Sequence, residues 1–353
     1  MTANPALAVR WVRTRLFASP LDVIITLVCA YFLVRTAVPL LQWLITDATF
    51  EGSTRDDCIG AGACWVFIRA RFGQFMYGFY PFDQRWRVDL AGVLLAAAVA
   101  LSLWKGFPQR RKFAITAATV LPFAIVYLLH GGLGLPIIET RQWGGLMLTI
   151  FISVYAGAIA VPLGVLLALG RQSRLPVIRT ISIVFIEFWR GVPIIAVIFL
   201  ASLLLPLIMP SGIGVDRLAR AVIGLALVIS AYMAEAVRGG LQALPKGQYE
   251  AATALGLRYW RVTGMIILPQ ALRIALPAMT NEFIALMKNT SLVLIVSIFD
   301  LLGIAQAALA DPAWVGMNME SYVFAGATYW LMCFGLSRAS HALERRRDFT
   351  KMH

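Results

Sequence analysis

Two pairs of oppositely charged residues lie inside long apolar stretches of the chain. Glu187 precedes Arg190 by three positions, and Glu235 precedes Arg238 by the same spacing. Residues three apart share one face of a helix, where opposite charges attract. An ionised group inside a membrane costs at least about 2.5 kcal/mol, so it pairs with a partner or faces a polar pathway. The spacing favours structural ion pairs and leaves open that the four residues line or gate a polar pathway.

A second polar group interrupts another apolar stretch at Lys288, Asn289, Thr290 and Ser291. Asn, Thr and Ser are favoured helix N-caps, so a half-helix is predicted to begin here. The amide end of a broken helix attracts a carboxylate, and Lys288 would add a positive charge. We interpret these residues as a candidate site for the carboxylate of a ligand. The alternative is a polar cluster that holds neighbouring helices together.

The elements that carry these residues are long apolar segments. The 353-residue chain is 60% hydrophobic and 14% charged, whereas soluble domains carry about 25% charged residues. An ordinary soluble enzyme and a disordered chain are therefore excluded, and an all-α polytopic membrane protein is predicted. A helix needs about 20 apolar residues to cross a bilayer. About eight such segments are predicted: Leu21–Ile45, Val88–Trp104, Phe113–His130, Gly144–Gly170, Ile178–Leu207, Leu218–Val237, Ala278–Leu302 and Ser321–Leu336.

Basic residues orient the predicted bundle. With the N-terminus in the cytoplasm, 20 of the 31 Lys and Arg residues fall on inner segments and eight on outer segments. This asymmetry follows the positive-inside rule. Eight spans then place both termini in the cytoplasm. The net charge of +13 is explained as an orientation signal, so no nucleic-acid partner is predicted.

The chain changes character near residue 140. Residues 1–140 are predicted to form a three-helix extension with a long outer loop over residues 46–87. Beyond them, a stripe of small residues suited to close helix packing is formed by Ala156, Ala160, Gly164 and Ala168. The outer loop contains Cys58 and Cys64. In an oxidising compartment they could form a disulfide, and two free thiols are the alternative. No His lies in the loop, and no metal site is predicted.

The longest predicted cytoplasmic loop, residues 238–275, carries a gapped motif. It predicts an alanine-rich helix that ends at Gly256 in the left-handed conformation. Ala251 and Ala252 would let another protein approach the backbone closely, while Leu255 offers an apolar contact and Glu250 a charge. The alternative is an ordinary amphipathic helix at the membrane surface. The residues of this candidate site are Gly247, Gln248, Tyr249, Glu250, Ala251, Ala252, Leu255, Gly256, Ile266, Leu268 and Pro269.

The motif resembles the EAA loop of ABC-importer permease subunits: Glu-Ala-Ala at 250–252, three residues, Gly256, nine residues, Ile266, one residue, then Leu-Pro at 268–269. The stretches at 187–193, 231–240 and 288–292 resemble the polar amino-acid branch, and the extension resembles M-type permeases of general L-amino-acid (Aap/Bzt-type) importers. The resemblance implies a MetI-like ABC transporter type-1 permease domain over residues 141–340. A basic cytoplasmic tail over residues 341–353 follows it.

The resemblance also implies partners. In that family the loop docks into a groove of the ATPase subunit, a role that falls here on Glu250, Ala251, Ala252 and Gly256. The chain contains no Gly-x-x-x-x-Gly-Lys-Ser/Thr phosphate loop, so it is expected not to be an enzyme and to bind no cofactor, with ATP used by a partner subunit. The expected partners are an ABC ATPase dimer, a second homologous permease subunit with a heterodimer favoured, a periplasmic amino-acid-binding protein and membrane lipid.

The predicted function is therefore inward transport of polar L-amino acids as the permease subunit of an ATP-driven importer, in the bacterial cytoplasmic (inner) membrane. The alternative is an ion-coupled secondary amino-acid transporter, which would use buried carboxylates such as Glu235 and Glu282 and need no ATPase. A membrane-embedded enzyme is disfavoured, because the three His residues suggest neither a metal cluster nor a nucleophile–base pair.

Overall fold

The computed structural model describes residues 5–104, 106–208 and 214–345. Within these ranges the chain is almost entirely helical and contains no strand, which confirms the predicted all-α class. The α-helices in chain order are α1 (Pro5–Leu16), α2 (Pro20–Leu41), α3 (Trp65–Tyr77), α4 (Arg85–Leu103), α5 (Arg110–His130), α6 (Gly145–Arg171), α7 (Pro176–Gly191), α8 (Ile194–Ile208), α9 (Arg217–Gln242), α10 (Lys246–Ala254), α11 (Tyr259–Arg261), α12 (Leu268–Asn289), α13 (Leu301–Leu309) and α14 (Asn318–Arg345).

Six helical segments of the described chain are long and apolar enough to cross a membrane. The sixth segment, Tyr259–Val296, begins well before the predicted span Ala278–Leu302. It is longer because α11, a π-helical turn, α12 and a 3-10 segment follow one another directly. The predicted cytoplasmic loop therefore leads directly into a span. The six segments are Pro20–Thr46, Phe82–Leu103, Lys112–His130, Gly145–Arg171, Arg217–Gln242 and Tyr259–Val296.

The predicted span Ile178–Leu207 is divided in two. Helix α7 ends at Gly191, and α8 begins at Ile194 after a bend of 103°. The cause lies in the sequence: Val192 is extended, with φ −90° and ψ 132°, and Pro193 disfavours the helical conformation of the residue before it. Counted as one span, this bent pair would raise the number of candidate spans to seven.

Helix α14 corresponds to the eighth predicted span. Its 28 residues give a length of about 42 Å, which is enough to cross a bilayer. It is nevertheless not among the segments that are apolar enough by composition, since Glu320, Tyr329 and Trp330 lower its hydropathy. The predicted count of eight thus exceeds the six or seven spans that length and hydropathy together support.

The described residues fall into two compact units, and the first comprises Met1–Ala70 with Asp311–Glu320. In it, Cys58 and Cys64 are joined by a disulfide. The Cys64 amide donates to Glu320 Oε1 at 3.0 Å, and the Trp65 indole donates to the carbonyl of Leu44 at 2.9 Å. The first part of the predicted outer loop is therefore ordered here, and the loop also contains the whole of helix α3.

Thiol labelling tests the disulfide. The protein has four cysteines, of which Cys29 and Cys333 are free in the structure. We expect a maleimide to label two cysteines in the denatured, unreduced protein and four after reduction, measured by mass spectrometry. Cys58→Ser should also lower the free energy of unfolding by about 2 kcal/mol, because it opens a short loop. Labelling of all four cysteines before reduction would contradict this assignment.

The second compact unit, Arg71–Ala310 with Ser321–His353, is built on the contact between α6 and α9. The predicted small-residue stripe Ala156, Ala160, Gly164 and Ala168 is buried. At Gly164 the two helices approach so closely that a Cβ atom would lie 2.6 Å from Met233 Cβ. The stripe therefore brings the backbones together, as small residues do between membrane helices. The predicted domain boundary at residue 140 stays a prediction.

A matched pair of glycine substitutions tests this packing. We expect Gly164→Ala to destabilise the protein by about 1–3 kcal/mol, because the new methyl group overpacks the α6–α9 contact. Gly92→Ala is the control: Gly92 lies within helix α4 with open space around it, so alanine should be neutral or slightly stabilising. Thermal unfolding of the detergent-solubilised variants measures both. Equal midpoints would show that the contact is not tight.

Candidate functional site

Helix α10 is the alanine-rich helix that the gapped motif predicts. It ends at Ala254, and Gly256 follows with φ +71°, the left-handed conformation expected of a glycine at this position. The amide of Gly256 donates to the carbonyl of Thr253 at 2.9 Å, and the amide of Leu257 donates to that of Ala252 at 3.4 Å. These bonds satisfy the last carbonyls of the helix and turn the chain toward α11.

One face of α10 packs against the body of the protein. Ala252 is buried in a hydrophobic cluster that includes Leu244, Val262 and Ile267. Tyr249 is partly buried against the same cluster, and burial raises the pKa of its phenol above the ordinary value. Ala252 is therefore an internal packing residue within this chain, whereas the docking role expected of it stays a prediction.

The opposite face of α10 and the turn after it are open. We call Glu250, Ala251, Leu255 and Trp260 the docking face. All four are exposed, with Leu255 and Trp260 each 78% exposed. Gly256 lies among them, and nothing stands within 4 Å of the place where its Cβ would be. An exposed leucine and an exposed tryptophan, with an exposed carboxylate on the preceding helix, form a surface suited to another protein.

The end of the motif is explained by its proline. Pro269 has no amide hydrogen and would crowd the carbonyl four residues before it in a regular helix. The chain accommodates this with a wider π-helical turn over Val262–Ile267, in which the Leu268 amide donates to the carbonyl of Thr263. Ile266 is partly buried against the same cluster as Ala252. The end of the motif thus anchors the loop to helix α12 by packing and backbone geometry.

The two predicted ion pairs belong to one network at the ends of α6, α7 and α9. Arg238 Nη2 lies 2.7 Å from Glu235 Oε2, and Arg190 Nη1 lies 3.8 Å from Glu187 Oε2. Sequence reasoning missed Arg171, whose Nη1 lies 2.8 Å from Glu235 Oε1 and 2.9 Å from Glu187 Oε1. The i,i+3 pairs were readable from spacing, whereas Arg171 is 16 and 64 residues away from its partners.

This ion-pair network lies next to the hydrophobic cluster on which helix α10 packs. Ile186 precedes Glu187, and Ala234 precedes Glu235, and both apolar residues belong to the hydrophobic cluster that buries Ala252. The Glu235 side chain is only 18% exposed, so its contacts with three arginines lie in a partly desolvated place. Charges held there are sensitive to any relative movement of α6, α7 and α9.

The predicted half-helix does not begin at residues 288–291. Helix α12 runs to Asn289 and continues as a 3-10 segment over Thr290–Val296. The Thr290 hydroxyl donates back to the carbonyl of Met287 at 2.9 Å, and the Ser291 hydroxyl donates back to that of Lys288 at 2.8 Å. These are bonds of residues that follow a helix, so the expectation of a new N-terminus here is wrong. Lys288 is exposed.

A buried polar cluster joins Thr290 to the turn between Val296 and Leu301 instead, and sequence reasoning missed it. Asp300 is fully buried and caps α13 by accepting from the Gly303 amide at 3.0 Å. Its second oxygen accepts from the hydroxyls of Tyr329 at 2.5 Å and Thr290 at 3.3 Å. Thr149 accepts from the Leu301 amide at 3.0 Å. For Thr290, this geometry favours the alternative interpretation of a cluster that holds helices together.

Comparison with known proteins places these features in a family. The family model described as "binding-protein-dependent transport system inner membrane component" matches residues 160–349. The inner membrane amino-acid ABC transporter permease protein YhdY of Escherichia coli (strain K12) is 51% identical over 344 residues, covering 97% of this chain and 94% of the relative. The glutamate/glutamine/aspartate/asparagine transport system permease protein BztC of Rhodobacter capsulatus is 36% identical, covering 96% of this chain and 93% of the relative.

A solved structure resembles a little more than half of the chain. It is described as a crystal structure of an amino acid ABC transporter with histidines, and it is 32% identical with a TM-score of 0.51. The match covers 57% of this chain and 92% of that chain. Nearly the whole of that protein therefore corresponds to little more than half of the present one.

Proposed function

Because this chain belongs to the family of binding-protein-dependent transport system inner membrane components, we propose that it imports polar L-amino acids as the permease subunit of an ATP-driven transporter. The amino-acid permeases among its relatives support this substrate class. The ion-coupled alternative does not fit this family. Hydrolysis of ATP is assigned to a separate subunit, and no cofactor is assigned to this chain.

The docking face is the observation that carries this proposal. A transporter driven by a separate ATPase needs a protein surface that leads mechanically into its spans. Leu255 and Trp260 supply exposed apolar contacts next to the left-handed turn at Gly256, and the chain continues from this turn directly into the span Tyr259–Val296. Movement of a bound ATPase would therefore be transmitted to that span through a continuous helical segment.

Site-directed cross-linking tests this docking. In a background without the free thiols of Cys29 and Cys333, Leu255→Cys is expected to form a disulfide with a cysteine in the ATPase groove under mild oxidation. Ala252→Cys is the matched control on the same loop, because position 252 is buried in the hydrophobic cluster. The cross-linked band should form with position 255 alone. Equal yields at the two positions, or no band with position 255, would refute the docking face.

We further propose the orientation and the assembly. The N-terminus and the basic inner segments lie in the cytoplasm, and α14 serves as the eighth span, so that both termini are cytoplasmic. Trp330, Leu331 and Phe334 support a lipid-facing surface on α14, because they are exposed at 61%, 61% and 48%. A second homologous permease, favoured as a different chain, completes the membrane part. A periplasmic amino-acid-binding protein delivers the substrate, and an ABC ATPase dimer binds the docking faces.

Lys288 and Asn289 remain our candidates for the substrate path, since Lys288 presents an exposed cation at the end of α12. We expect Lys288→Met to raise the KM for amino-acid uptake severalfold, because it removes the charge that would attract the substrate carboxylate. Lys288→Arg is the control and should stay near the wild-type value. Radiolabelled uptake in proteoliposomes measures both. An unchanged KM for the methionine variant would remove Lys288 from the path.

A further inference from the structure

A groove of about 740 Å³ opens between helices α5, α6 and α9 at the ends that face away from the docking face. Its walls are apolar along the helices: Val126 from α5, Phe151 and Ile159 from α6, and Ile223 from α9. All of these helices are candidate spans, so the walls lie at the depth of the bilayer. The volume is in the range of about 300–1,000 Å³ that is typical of ligand sites.

The groove is open at the surface of this chain rather than sealed inside the bundle. Ile159 is 43% exposed and Ile223 is 44% exposed. Further into the wall, the rings of Phe151 and Tyr155 stack with centroids 4.1 Å apart, and the Tyr155 hydroxyl is occupied by a bond to the carbonyl of Pro122. The wall therefore offers flat, apolar surface along its length, which suits a hydrocarbon chain.

The mouth of the groove carries charges of both signs. Arg141 and Arg217 are exposed there, and both line the groove. The carboxylate of Glu139 lies 2.6 Å from Arg141 Nε. The carboxylate of Asp216 caps α9 through the Leu218 amide at 2.9 Å and accepts from the Thr140 hydroxyl at 2.6 Å. Two guanidinium groups and two carboxylates thus stand at the ends of three spans, at the level of lipid headgroups.

We propose that this groove binds one acyl chain of a zwitterionic glycerophospholipid from the outer leaflet of the bilayer. The arginines bind the headgroup phosphate, for which the guanidinium fork is suited, and the carboxylates attract its ammonium group. The acyl chain lies along Phe151, Ile159 and Ile223. A bound lipid of this kind fills the space between α5, which belongs to the predicted N-terminal extension, and the helices α6 and α9. It thereby supports the packing of these three helices.

Photo-cross-linking tests the acyl-chain site. The probe is a phosphatidylethanolamine with a diazirine in its acyl chain, incorporated into liposomes with the complete transporter, and the adducts are located by mass spectrometry. We expect them to concentrate on α5, α6 and α9 at the groove. Ile159→Trp and Ile223→Trp fill the groove and should each lose most of this labelling. Leu166→Trp is the matched control, because Leu166 is 66% exposed on the same helix α6 and does not line the groove.

Competition tests the headgroup. Unlabelled phosphatidylethanolamine should suppress the adducts more strongly than phosphatidylglycerol does. This preference should disappear in the double variant Arg141→Gln/Arg217→Gln, which leaves the apolar walls intact. Adducts spread evenly over all lipid-exposed helices, or labelling that survives both tryptophan variants, would overturn the proposal. Because the readout is lipid labelling, it does not depend on whether amino acids are transported.

Discussion

Replacing Gly256 by Asp is expected to abolish ATP-driven uptake while the protein still inserts into the membrane. The turn at Gly256 has φ +71°, so any side chain there adds strain of about 1–2 kcal/mol. Within this chain the new carboxylate meets open space, but in the docked complex it would be a buried charge without a partner. That costs at least about 2 kcal/mol, or roughly 30-fold in affinity for the ATPase. Uptake and ATP hydrolysis in proteoliposomes measure the effect.

Gly132→Asp is the control for this substitution. Gly132 also has a positive φ, +104°, and also has no atom within 4 Å of its Cβ position, but it lies on the loop between α5 and α6 at the opposite ends of the spans. It therefore reproduces the backbone strain and the added charge away from the docking face. Uptake should remain close to wild type. If both variants lose uptake equally, strain rather than docking explains the defect.

Replacing Glu235 by Gln is expected to have the largest effect on stability. Glu235 contacts Arg171, Arg190 and Arg238, and its neutral amide would leave Glu187 alone to compensate three positive charges. Removing one partner of a buried ion pair costs about 3–5 kcal/mol, and because this group is partly exposed we expect about 2–3 kcal/mol. The midpoint of thermal unfolding in detergent should fall, and uptake should fall with it.

Glu344→Gln is the matched control for Glu235→Gln. The carboxylate of Glu344 contacts His341, which is 64% exposed, and accepts from the Ser340 hydroxyl at 3.0 Å. The exposed pair with His341 contributes less than about 1 kcal/mol, and a glutamine oxygen can still accept from the Ser340 hydroxyl, so the unfolding midpoint should hardly move. A Glu235 variant as stable as the Glu344 variant would show that the network contributes little to holding α6, α7 and α9 together.

Local rules explain what the sequence could predict. The left-handed turn at Gly256 follows from a glycine placed after an alanine-rich helix. The buried stripe from Ala156 to Ala168 follows from small residues repeated every four positions. The pairs Glu187–Arg190 and Glu235–Arg238 follow from helical spacing. Each of these inferences needs only residues within about a dozen positions of one another.

What the sequence did not predict needed information from distant parts of the chain. Ala252 packs inward because the cluster it joins includes Ala168 of α6 and Ile186 of α7, which are far from it in the sequence, and its small size gave no hint of direction. Arg171 joins two carboxylates on other helices, and Asp300 is satisfied by Tyr329, 29 residues away. The polar residues near Thr290 have the residue types of N-caps, but they follow the end of α12. The next helix, α13, begins only after Asp300, which is its N-cap. Tertiary packing decided each of these cases.

Reconstitution tests the central claim most directly. The chain is co-purified with its ATPase and placed in proteoliposomes with the amino-acid-binding protein, and uptake of radiolabelled amino acids is followed with and without ATP. The account predicts that the ATPase co-purifies and that uptake requires both ATP and the binding protein. Uptake driven by an ion gradient in the absence of ATP, by this chain without an ATPase, would contradict it.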